Sequence, residues 1–139
     1  MNSNRKFLMW AGILLILATG VIHFMDAPGS FEEVTYKGVL FVLNGIGAIV
    51  AAIGIYRGSR SWGWGLGLVV AAGAFIAYVV SRTVGLPSLP PDEWMEPIGL
   101  LSLLVEGLFT LLAVSVLASN TTPEPARSEV RSMPSEVRR

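Results

Sequence analysis

Four long apolar runs, separated by short polar crossings, constrain this 139-residue chain more than any other feature. The first, 7–25, is interrupted only by Thr19 and His23, and the second, 39–56, only by Asn44. A helix rising 1.5 Å per residue needs roughly 20 such residues to cover the ~30 Å hydrocarbon core of a bilayer. Lipid offers no partner for unpaired backbone groups, so each run must satisfy its own hydrogen bonds as a helix. The expected fold is all-α, a four-transmembrane-helix antiparallel bundle with helices over about 6–25, 34–56, 62–84 and 97–117. These form one transmembrane domain, 1–118, followed by a tail, 119–139, too poor in large apolar side chains to order itself and therefore expected to be disordered.

Only 14% of residues are charged, against about a quarter in an ordinary soluble domain, so lipid is the expected solvent. Ten basic and ten acidic residues cancel, which leaves no net field for nucleic acid. Their placement is less even. With four crossings, Arg5, Lys6, Arg57, Arg60, Arg127, Arg131, Arg138 and Arg139 share one side, and only Lys37 and Arg82 fall on the other. Basic flanks collect in the cytoplasm, so both termini are expected there, with the protein in a cell membrane. The first run exceeds the ~7–15 apolar residues of a secretory signal and lacks a good cleavage site after Ala27, so it is read as a retained helix.

The crossings have their own chemistry. Pro28-Gly29 signals a turn, and Ser30 with Glu33 has the spacing of a capping box, which would start the second helix outside the membrane. Residues 57–61 allow only a tight return, and 85–96 carry Pro87, Pro90 and Pro91. Gly63/Gly67, Gly54/Gly58 and Gly73/Ala77 have the small-xxx-small spacing that lets helices approach closely in lipid. The glycines of 62–68 lack the preceding strand of a dinucleotide-binding loop. Cysteine is absent, which removes disulfides and thiolate chemistry, and the single histidine would need a second copy of the chain to make a paired haem site. No cofactor or metal site is expected.

Polar residues inside the apolar runs are the candidate site. Glu106 lies nine positions past Pro97, ~14 Å into the bilayer, where a carboxylate must face the bundle and find a donor or keep its proton. Ser102 and Thr110 share its helix face. Asn44 sits at a similar depth and is expected to pair with Glu106. Arg82 and Glu96 end and begin consecutive helices and are expected to pair across that corner. Tyr78 shares a face with Arg82, and Thr19 with His23, whose expected place is the membrane interface, bonded to Thr19 or Asp26. The candidate cluster is therefore His23, Asn44, Tyr78, Arg82, Glu96 and Glu106.

The run Ser81-Arg82-Thr83-Val84-Gly85-Leu86-Pro87, then Glu96-Pro97 with Gly99, then Glu106, resembles an uncharacterised family of small four-helix bacterial integral membrane proteins. His23 followed by the acidic, aromatic-containing segment 26–33 adds to the likeness, whereas Ser88-Leu89-Pro90 departs from the phenylalanine-glycine-proline associated with that loop. The resemblance implies no activity, cofactor or substrate. The expected function is a non-enzymatic accessory or interaction module, with the bilayer and a second copy or another membrane protein as partners, whose polar corner fixes helix packing. The alternative is a small proton-coupled transporter in which Glu106 carries the proton and Arg82 attracts an anion; it requires a water-accessible cavity reaching Glu106.

Overall fold

A computed structural model describes residues 3–119, all of whose regular structure is helical. The tail beyond Ser119, with Arg127, Arg131, Arg138 and Arg139, lies outside the described residues. α1 is Ser3–Glu33, α2 is Thr35–Tyr56, α3 is Gly65–Thr83 preceded by a π-helical turn at Arg60–Trp64, and α4 is Pro97–Ala118. Among the described residues these four helices, α3 counted with its π turn, are each long and apolar enough to cross a membrane. α1 packs along α2, and α4 packs against both α3 and α1, while α1 scarcely touches α3.

The crossing expected over 26–35 is not a loop. α1 runs straight through Pro28 to Glu33, 31 residues or about 46 Å, and a single residue, Val34, separates it from α2. Proline deprives the helix of one donor and crowds the preceding turn, yet the turns beyond it persist because both ends of the joint are tied. Val34 donates to the Ser30 carbonyl at 3.1 Å, and Lys37 donates to the Val34 carbonyl at 3.1 Å. The Phe31 ring occupies the place a side chain would take at Gly38, so the two helices close on each other directly after the joint. Ser30 is consequently buried inside α1 and the capping box does not form; the N-cap of α2 is Val34, with no side-chain bond.

At the opposite end α2 stops in a glycine-terminated turn. Gly58, at φ 75°, donates to Ile55 at 3.0 Å and Ser59 donates to Gly54 at 2.9 Å, the pair of bonds that closes a helix through a left-handed residue. Gly54 also meets Gly63 backbone to backbone, since a Cβ there would lie 2.7 Å from Gly63 Cα. Close approach of this kind drives association where lipid supplies no hydrophobic force. Trp64 fills the space left by Gly12 and stacks on Phe109 with centroids 5.9 Å apart, and Phe109 uses the space left by Gly67. Arg60 donates to the Val116 carbonyl and, at 2.9 Å, to Ser119 Oγ, satisfying the C-terminal turn of α4. Ile13, Ile16, Ala48, Ala51, Trp64 and Phe109 make this half a filled core. The half nearer Val34 is built differently. Gly73 and Ala77, expected to serve tight packing, are exposed, and a Cβ at Gly73 would touch nothing within 4 Å.

Candidate functional site

At the end of the bundle nearer Val34 and residues 84–96, α1, α2, α3 and α4 enclose a cavity of about 550 Å³. This is the size of a small-molecule site, about 300–1,000 Å³. It extends from exposed Glu33, Glu93 and Glu96 down to Glu106, which is 1% exposed.

The floor is built from α1, α2 and α4. Ser102, one turn before Glu106, donates to Glu106 Oε1 at 2.6 Å, while Glu106 Oε2 is buried without a partner. The spacing of four that puts Ser102 on this face also puts Thr110 there, but its hydroxyl is buried and unpaired. His23 reaches the same carboxyl from α1, with Nε2 3.7 Å from Glu106 Oε1. Its other nitrogen, Nδ1, lies 2.9 Å from the Thr19 carbonyl. A carbonyl only accepts, so Nδ1 carries hydrogen, and a neutral His23 therefore turns the lone pair of Nε2 toward Glu106. Two acceptors facing each other at this separation repel unless a proton lies on one of them. His23 thus belongs to the buried floor, with its ring 4.9 Å from that of Phe41, and its bond is to Thr19, one of the two partners expected from the sequence.

Asn44 does not pair with Glu106. Its Nδ2 donates across to the Val70 carbonyl of α3 at 3.1 Å, which fixes the amide orientation and leaves Oδ1 buried with no donor. Equal depth on two helices does not make two residues neighbours; rotation about each helix axis decides which face they occupy, and Asn44 faces α3.

The mouth is a laced ion-pair network. Arg82, 9% exposed at the end of α3, donates through Nη2 to Glu96 at 2.6 Å as the sequence led one to expect, and through Nη1 to Asp92 at 2.6 Å. Its guanidinium lies 4.4 Å from the Tyr78 ring centroid. Tyr78 donates to the Trp94 carbonyl at 3.2 Å. Gly99 makes room for both side chains, since a Cβ there would lie 2.6 Å from Tyr78 Cε2 and 3.2 Å from Arg82 Nη2. Lys37 donates to Glu33 and stands 3.9 Å from Asp92, and Tyr36 donates to the Pro87 carbonyl at 2.6 Å. The loop itself is folded tightly, with Gly85 at φ 87°, Ser88 at φ 67° and the Asp92 amide bonded to Ser81 at 3.0 Å.

Asp92 and Lys37 are the site residues that sequence reasoning missed. Asp92 approaches Arg82 only because the loop doubles back through Leu86 and Leu89, and Lys37 faces the cavity only because α2 starts at Thr35. Among the described residues, Asp26 and Glu93 line the cavity without an ion-pair partner, and no group of three potential ligands is arranged to hold a metal. No family model, curated protein or solved structure matches this chain.

Proposed function

We propose that this chain is a small proton-coupled permease of the cell membrane: an antiparallel four-helix bundle with both termini cytoplasmic, a cavity open to the outer face, and His23 with Glu106 as the proton-bearing pair. One observation carries the reading, the His23–Glu106 contact at the floor of a cavity that reaches exposed carboxylates. A titratable group inside a membrane is costly to keep, and Asp, Glu and His side chains that face a cavity there mark proton relays in pumps and transporters. The topology rests on Arg5, Lys6, Arg57 and Arg60 sharing the side opposite Lys37 and Arg82.

Arg82 has a different part from the one its charge invites. With both terminal nitrogens held by Asp92 and Glu96 it closes the corner instead of drawing in an anion. The accessory-module reading accounts for that corner. It gives no reason for an open cavity or for an unpartnered oxygen on Glu106.

The test is proton movement in reconstituted vesicles with a trapped pH indicator and the membrane potential clamped. Wild-type protein should dissipate an imposed pH gradient faster than empty vesicles, and Glu106→Gln should return the rate to that of empty vesicles. Equal rates for the two proteins contradict the reading.

A further inference from the structure

We infer that the cavity receives a small organic ammonium ion, its N–H groups donating to Glu106 Oε2 and Asn44 Oδ1. This names the substrate class for the permease reading and rests on it only in sharing the cavity. Of the unpaired buried atoms, Glu106 Oε2 and Asn44 Oδ1 are acceptors on residues that line the deep part of the cavity, whereas Arg82 Nε, a donor, belongs to the mouth and Thr110 lies outside the lining. Glu106 Oε2 is buried without a donor, and Asn44 Oδ1 is left over once Nδ2 is committed to Val70. A buried polar atom without a partner is costly, and a ligand that supplies the missing donors recovers that cost on binding. Anions and acceptor-only ligands cannot do so.

The charges around the cavity select the same class. Arg82 is neutralised by Asp92 and Glu96, and Lys37 by Glu33, whereas Asp26 and Glu93 remain as surplus acid along the path that leads to Glu106. Such a lining concentrates cations. A bare metal ion would need some six or more oxygen ligands, and the floor offers two free ones in a space far larger than an ion. Part of the wall is apolar: Ile22, Leu40, Phe41 and Leu86 line the cavity with Ala74 and Ala77. An ammonium group carrying a compact hydrocarbon or aryl body fits both surfaces.

The experiment uses the full chain in lipid nanodiscs and 4-fluorobenzylamine, read by fluorine NMR, with 4-fluorobenzyl alcohol and 4-fluorobenzoate as isosteric controls. The amine should bind saturably and the two controls should not. Glu106→Gln should weaken amine binding more than about tenfold, the scale of a lost charge-assisted hydrogen bond, and Asn44→Leu should weaken it by less. Glutamine keeps the size of Glu106 and an amide oxygen for Ser102, so helix content and monodispersity should be unchanged; Asn44→Leu provides an independent arm. Equal amine affinity in wild type and Glu106→Gln, alcohol binding as tight as amine, or displacement of the amine by sodium at constant ionic strength would each overturn the inference. Saturable amine binding without proton flux leaves this inference standing and removes the permease reading, whereas flux without amine binding does the reverse.

Discussion

Glu106 accepts a hydrogen bond from one hydroxyl on its own helix and stands 3.7 Å from an imidazole of α1, and these two neighbours differ in what they do. Ser102 donates a hydrogen bond whatever the protonation of the pair, so Ser102→Ala should perturb the environment of the carboxyl, and His23→Phe should remove its proton-sharing partner. Asn44→Leu should leave the carboxyl stretching band of Glu106 unchanged in infrared spectra, because Asn44 bonds to Val70 and not to Glu106. A shifted band in Asn44→Leu would restore the pairing that equal depth implied. At the mouth, Arg82→Met should lower stability by about 1–3 kcal/mol in chemical denaturation, less than for a fully buried pair because Glu96 stays half-exposed and can be hydrated. The inward face of Glu106 and the Arg82–Glu96 bridge were legible in the residues, since a carboxylate at that depth has few alternatives and consecutive helix ends meet. The His23–Glu106 contact was not, because it joins helices first and last in the chain and depends on how each is rotated.

Among the helices, glycine has opposite meanings in the two halves. Gly63 lies against the backbone of α2, so Gly63→Ala should destabilise by about 1–3 kcal/mol, the cost of overpacking a site with no room to relax. Gly73 faces open space on α3, and Gly73→Ala should raise stability by up to about 1 kcal/mol through helix propensity while narrowing the cavity. Thermal melts of the two variants side by side check this: a destabilised Gly73→Ala would mean that the cavity wall is closed against another helix. The spacing of small residues announced both positions equally, because periodicity reports a face and not what covers it. The apolar runs gave the existence of all four helices for the same reason that makes membrane spans readable: the length required is set by lipid. The α1–α2 joint escaped because Pro28-Gly29 and Ser30-Glu33 are local signals. Here the packing of Phe31 on Gly38 and the bonds across Val34 override them.

For the molecule as a whole, a filled half with Trp64 and Phe109 at its centre supports a hollow half with Glu106 at its floor. The proposed orientation puts the hollow half outside. Because the chain has no cysteine, single cysteines introduced at Glu93 and at Arg57 should be labelled by an impermeant maleimide from opposite sides of intact cells, Glu93 from outside; labelling of both from one side would contradict the four-crossing topology. The most direct test of the proton-bearing pair is the infrared difference spectrum of the protein in bilayers between acidic and alkaline buffer. A carboxyl C=O band that vanishes in Glu106→Gln and moves in His23→Phe is the predicted result. A spectrum in which no band depends on Glu106, or in which the Glu106 band is indifferent to His23, would contradict it.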